Sequence, residues 1–186
     1  MRGDVTVPEE QVVLVTPDDL PIGVAGKASA HEGGMLHRAF SVFVVNGAGE
    51  WLLQRRASHK YHSGGLWSNT CCSHPRPGEA VEAAAHRRLR EEMGFDCALD
   101  PVFSFVYRAP LDHGMIEHEL DHVLIGVHDG DPVPDPREVG DWRRASPEEI
   151  RRALAERPKA FTQWFALAFE RVERAVRAGM GVASVA

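Results

Sequence analysis

The stretch Glu79–Met93 constrains the fold of this chain more than any other. Val81, Ala85 and Leu89 recur at a four-residue spacing, Met93 continues the row, and Gly94 follows. A single apolar stripe closed by glycine predicts an amphipathic helix that must bury one face. Strands are expected on both sides of it. Gln11–Thr16, Ala39–Val45, Trp51–Arg55, Val102–Ala109, Glu117–Val127 and Val139–Arg143 read as strands, with a further extended stretch at Ile22–Lys27. Asn46-Gly47-Ala48-Gly49 turns one strand into the next as a hairpin. Ser146-Pro147-Glu148-Glu149 is a capping box that opens a short helix. Phe161–Ala178 reads as a longer amphipathic helix closed near Gly179. Loops are expected at His31–His37, at Ala57–Leu66 and at the proline-rich Asp129–Arg137. Together these make a mixed sheet with helices packed on it, a single α/β domain, which 186 residues suit.

Charge and composition exclude whole classes of function. A net charge of -6 argues against nonspecific nucleic-acid binding. No apolar run approaches the length of a membrane span, and Met1–Gln11 is polar and acidic rather than a charged-then-apolar leader. The expectation is a cytoplasmic protein with neither a nucleic-acid nor a membrane partner. Three cysteines, Cys71, Cys72 and Cys97, make no disulfide framework. In a reducing compartment such thiols are either buried filler or chemistry. Ten histidines, several near acidic residues, hint at a metal site.

Four clusters carry candidate chemistry. His31 and His37 lie on a glycine-containing segment. In Cys71-Cys72-Ser73-His74-Pro75, residues two apart face one side of an extended chain, so Cys72 and His74 can enter one pocket while Cys71 points away. The same alternation puts Glu117 and Glu119 on one face, close enough to share a cation, and turns His118 away. Arg88 and Glu92 lie four apart on one side of the helix. Each cluster alone has an ordinary reading: solvated loop histidines, an inert small thiol, a solvated strand face, a surface ion pair. Taken together, three histidines and two same-face carboxylates supply nitrogen and oxygen ligands suited to a hard or borderline divalent metal.

The order and rough spacing of several stretches resemble one family. They are Lys27-Ala-Ser-Ala-His31, Leu36-His37-Arg-Ala-Phe-Ser41, Gln54-Arg55-Arg56-Ala57, Trp67-Ser-Asn-Thr-Cys-Cys72-Ser-His74-Pro75, Arg87-Arg88-Leu-Arg-Glu91-Glu92-Met-Gly94, Tyr107-Arg108-Ala109 and Glu117-His-Glu119. Each is weak alone. Their sequence from about Val12 to Trp164 resembles the type I isopentenyl diphosphate isomerases, members of the Nudix superfold. The resemblance implies a Nudix-like mixed β-sheet packed between helices. It implies one isomerase domain over residues 1–186, with residues 1–10 a flexible tail, that interconverts isopentenyl and dimethylallyl diphosphate in isoprenoid biosynthesis. Cys72 and Glu119 match the family's proton-handling residues, and Tyr107 the tyrosine that hydrogen-bonds the catalytic carboxylate. His31, His37, His74, Glu117 and Glu119 match the ligands of one divalent metal, Mn²⁺, Mg²⁺ or Zn²⁺. Lys27, Arg56, Lys60 and Arg88 match cationic groups around the diphosphate. Glu92 matches a carboxylate linked to a diphosphate-bound Mg²⁺, and Trp164 an aromatic facing the reacting carbons. The implied partner is a small-molecule prenyl diphosphate, and the implied protein a monomer or weak homodimer.

The superfold's signature is modified here. Ser73 takes its first glycine position, while Glu79, Arg87, Glu91, Glu92 and Gly94 match. Arg88 replaces the first glutamate of the Arg-Glu pair, which removes a ligand of the hydrolytic Mg²⁺ and adds a phosphate partner. That favours holding a diphosphate intact over cutting it. His31 and His37 stand six apart where seven is usual, and Ser63-Gly64 stands where Trp-Pro is usual. Two rivals remain: a Nudix hydrolase, and a metal-binding module that kept the fold and lost catalysis.

Overall fold

The computed structural model describes residues 10–180, so all of the expected tail except Glu10 lies outside the described residues. In chain order the elements are β1 (Gln11–Val15), β2 (Pro21–Gly26), α1 (Lys27–Gly33), β3 (His37–Val45), β4 (Trp51–Arg56), β5 (Trp67–Ser68), β6 (Cys71–Ser73), α2 (Val81–Met93), β7 (Leu99–Pro110), β8 (Ile116–Val127), β9 (Val139–Ala145), α3 (Pro147–Glu156) and α4 (Gln163–Arg177). All nine strands join one sheet. Its hub is β3, which pairs antiparallel with β4 and β6 and touches β1. It also runs parallel to β8 from His37↔Glu119 through Val45↔Val127. That parallel pair makes the sheet mixed.

Side chains alternate along β3 and β8, and the two sets find different cores. Phe43, Val45, Val123 and Ile125 pack with Ile150 of α3 and with Phe165, Phe169 and Val172 of α4. Phe40, Val42, Val44 and Leu124 pack with Ala84, Ala85, Leu89 and Met93 of α2. Both sheet faces are covered, which is why β3 reads as a near-continuous apolar run. Cys71 belongs to the α2-side core and is fully buried.

The signature helix starts at Val81, two residues later than the expected Glu79. Glu79 instead accepts from Arg87 Nε at 2.7 Å and from the Arg76 backbone N–H at 2.9 Å, tying the incoming loop to the helix. Gly94 ends the helix with φ +75°, and a Cβ there would stand 2.3 Å from the Val133 carbonyl oxygen. Only glycine fits without moving backbone. The Ser146–Glu149 capping box forms as expected. One expectation is corrected: His31 is not on a loop. Lys27–Gly33 winds into α1 and ends at Gly34 with φ +60°. Ala28 and Ala30 favour that turn, but so short a segment shows no helical period. Among the described residues, no helix is long and apolar enough to cross a membrane.

Candidate active site

Strand register assembles the site. His37 on β3 and Tyr107 on β7 both sit directly opposite Glu119 on β8, and Ser41 on β3 sits opposite Cys72 on β6. With side chains alternating between faces, these residues and Glu117 share the face beneath α4. Helix α1 adds His31, fully buried, to the same place. Lys27, Arg56, Cys72, His74, Glu117, Glu119 and Trp164 line one narrow pocket with a cavity volume of 40 Å³, room for about three waters.

The histidines are oriented by backbone. His31 Nδ1 lies 2.6 Å from the Lys27 carbonyl, and His37 Nδ1 2.8 Å from the Met35 carbonyl. A carbonyl only accepts, so each Nδ1 carries the proton and each Nε2 presents a lone pair. Across the six-residue spacing, His31 sits on α1 and His37 opens β3. His37 Nε2 is 3.2 Å from His74 Nε2, which is 2.9 Å from Glu119 Oε1. His31 Nε2 is 3.2 Å from Glu117 Oε2. One ligand atom from each of His31, His37, His74 and Glu119 lies within 4.8 Å of the others, and all four residues are buried. His31 Nε2 and Glu117 Oε2 have no hydrogen-bond partner. Acceptors buried together with so few donors call for a cation. Three imidazoles and two carboxylates suit a divalent one.

The electrostatics agree. Burial pushes both carboxyls up. At Glu117 the charge of Glu119 adds to burial, and its carboxyl rises well above the usual range. At Glu119 the neighbouring imidazoles of His37 and His74 outweigh burial and hold the carboxyl well below it. Burial lowers His31, and takes His74 down to about 4 against the pull of Glu119. Both are therefore neutral imidazoles near neutral pH, the form that ligates metal. Tyr107 donates its hydroxyl to Glu119 Oε2 at 2.6 Å. Burial, then the charge of Glu119, keeps that phenol protonated. Burial also raises the Cys72 thiol to about 12, although Arg56 pulls the other way, so Cys72 faces the pocket as a thiol.

The remaining expected residues divide. Arg56 and Trp164 face each other in the pocket at 5.4 Å, and the Trp164 indole donates to Asn69 Oδ1 at 3.2 Å. Lys27 pairs with Glu10 at 2.9 Å. Lys60, Arg88 and Glu92 do not line the pocket. Lys60 pairs with Glu138, and Arg88 holds Glu92 at 2.8 Å and Glu138 at 3.3 Å. The second Glu92 oxygen accepts from Gln54 Nε2 at 3.0 Å. His118 turns away to the Gly34 carbonyl, 2.9 Å off.

Two residues near the site escaped sequence reasoning. Asp121 is buried and accepts from Ser41 Oγ at 2.8 Å. Continuing the alternation Glu117, Glu119 one step further would have found it. His62 lines the pocket from the loop of residues 57–66, where no periodicity points to any residue.

A sheet sandwiched between helices, with a modified signature helix beside a buried histidine–carboxylate cluster, defines a Nudix-class domain. The family model of the NUDIX domain matches residues 35–165. The fold is similar to that of a Deinococcus radiodurans crystal structure, with TM-score 0.67 and 19% identity over 80% of this chain and 90% of that one. It is also similar to a MutT protein from Methanosarcina mazei, with TM-score 0.61 and 21% identity over 76% and 96%. Relatives narrow the class. The chain is 56% identical to Isopentenyl-diphosphate Delta-isomerase 1 of Aromatoleum aromaticum, over 88% of this chain and 93% of that one. It is 53% identical to the Isopentenyl-diphosphate Delta-isomerase of Burkholderia multivorans, over 88% and 93%. The same name and 53% identity hold for a protein of Pectobacterium atrosepticum, over 89% and 93%. The chain belongs to the isopentenyl-diphosphate Delta-isomerase family of Nudix proteins.

Proposed function

We infer that the protein interconverts isopentenyl diphosphate and dimethylallyl diphosphate for isoprenoid biosynthesis, with Cys72 and Glu119 as its two proton-handling groups. One observation carries the residue roles: a neutral thiol and a carboxylate held by Tyr107 line the same pocket, with Trp164 beside them. The reaction adds a proton to the terminal alkene carbon and removes another from the C2 carbon. An unactivated alkene is a weak base, so the proton must come from a positioned acid. The intermediate is a tertiary carbocation, which the negative charge of Glu119 and the face of Trp164 stabilise in a site poor in water. Reversibility makes each of the two groups an acid in one direction and a base in the other.

His31, His37, His74, Glu117 and Glu119 would hold one divalent metal, Mn²⁺, Mg²⁺ or Zn²⁺, in this reading. Bound there, the ion would supply charge that fixes Glu119 and strengthens it as an acid when protonated. Arg56 and Lys27 face the diphosphate in the pocket. Glu92, with Arg88 and Lys60 nearby, is assigned to a Mg²⁺ carried by the diphosphate. Support for that assignment is the buried Glu92 carboxylate held 2.8 Å from the Arg88 guanidinium. Incubation with Mg²⁺ and isopentenyl diphosphate, followed by phosphorus NMR and chromatography, should give dimethylallyl diphosphate without free phosphate. Phosphate release in place of the allylic isomer would assign the protein to the hydrolases.

A further inference from the structure

We propose that His62 is a metal-directed side chain, and that the cation it helps hold fastens the loop of residues 57–66 over the pocket. The proposal rests on reading the histidine–carboxylate cluster as a metal centre. A second donor group overlaps the first: His31, His62 and Glu117 each offer a ligand atom within 4.8 Å of the others, and all three are buried. His62 Nε2 lies 3.7 Å from Glu117 Oε1, while Glu117 Oε2 faces His31 Nε2 at 3.2 Å. These last two atoms are both buried and without a hydrogen-bond partner. The His62 ring stacks on that of His31 at 5.5 Å and 30°. His62 Nδ1 meets Ser63 Oγ at 3.3 Å, which leaves Nε2 for the cluster.

Buried polar groups normally find a hydrogen-bond partner, and His62 finds one only through Nδ1. At 3.7 Å from its nearest carboxylate oxygen, Nε2 of His62 makes no such bond. The gap is one that an ion between the two groups would fill. The loop is shaped to deliver this side chain. A Cβ on Gly64 would stand 2.6 Å from the Ser58 carbonyl oxygen, so the chain folds back on itself there. Arg56 donates to the His62 carbonyl, and the Ser63 N–H to Asp112. The donor group of His31, His37, His74 and Glu119 and that of His31, His62 and Glu117 share His31, so His62 extends the cluster by one nitrogen donor.

The test is Mn²⁺ binding, followed by electron paramagnetic resonance of the free ion, to wild type, His62→Ala and His62→Phe. The phenylalanine keeps a ring against His31 and removes the nitrogen. Both variants should bind Mn²⁺ at least about tenfold more weakly. Mn²⁺ should also slow tryptic cleavage after Lys60 in wild type and in neither variant. Wild-type affinity in His62→Ala, recovery of affinity in His62→Phe, or a wild-type loop cut equally fast with and without Mn²⁺ overturns the proposal. A wild-type protein that binds no Mn²⁺ removes the metal reading itself, and the proposal with it. Normal wild-type binding with unchanged variants removes the proposal alone.

Discussion

Beneath α4, His31, His37, His74, Glu117 and Glu119 bring lone pairs together, and three buried atoms among them, His31 Nε2, His74 Nδ1 and Glu117 Oε2, have no partner. On the opposite sheet face, around α2, the corresponding charges are already matched: Arg87 with Glu79 and Glu91, Arg88 with Glu91, Glu92 and Glu138, and Lys60 with Glu138. An unsatisfied buried polar group costs about 1–3 kcal/mol. A cluster of them persists in a fold when something binds there. Paired charges need nothing more, and a diphosphate reaches Lys60 or Arg88 only by competing with Glu138. The first region could hold a cation. The second is already paired within the protein.

The largest expected contrast lies between neighbouring thiols. Cys72→Ala should cut turnover by about a thousandfold or more, with an unchanged circular dichroism spectrum, because it removes the proposed proton-transfer group. Cys71→Ala should leave turnover within a few-fold and cost about 1 kcal/mol in urea titration, because it empties space in the α2-side core. Near-normal turnover in Cys72→Ala would dissolve the contrast.

Tyr107→Phe should follow, with turnover or metal affinity down about 10- to 100-fold and folding little affected, since the hydroxyl orients Glu119 from behind. Steady-state kinetics and metal titration measure it, and a variant matching wild type in both would free Glu119 from that support.

Acid should then separate the two regions in metal-free protein. His62 and His74 are held down to about 2 and about 4, against 6.5 for the free side chain, burial being the main cause. The unfolded chain therefore takes up protons that the folded chain refuses as pH falls from 6.5 toward 4. Folding stability drops in that window by about 1.4 kcal/mol per pH unit per histidine at most. Glu79 is held at about 2, first by its hydrogen bonds from Arg87, so its contribution is present above pH 4.5 and lost only as pH falls from 4.5 toward 2. Urea titrations with chelator at pH 7.5, 5.5 and 4 would show the earlier loss. Flat stability down to pH 5 would contradict the buried, neutral histidines.

The smallest effect is expected at Glu138→Gln. Removing the anion that occupies Lys60 and Arg88 should lower KM for isopentenyl diphosphate a few-fold with kcat unchanged, in line with the modest worth of partly exposed pairs. A raised KM would mean that Glu138 positions these cations rather than competing for them.

Much of the site was legible because a strand's period is geometric. Alternation alone put Cys72 with His74, Glu117 with Glu119, and turned Cys71 and His118 away, as the structure shows. The helical stripe and Gly94 located α2, and the capping box located α3. The chemical roles came from family resemblance, not from spacing. Short elements were lost: α1, β5 and β6 are too brief to show a period. Glu138 was invisible because it meets Lys60 from 78 positions away in the chain. His62 sits on a loop, where no repeat says which way a side chain points.

Proton transfer at the pocket is tested most directly in heavy water. With Mg²⁺ and isopentenyl diphosphate in deuterium oxide, wild-type protein should place deuterium in the new methyl group of dimethylallyl diphosphate, and Cys72→Ala should not. Dimethylallyl diphosphate formed without deuterium, or labelled equally by both proteins, would contradict a solvent-exchanging thiol and carboxylate acting across one small cavity.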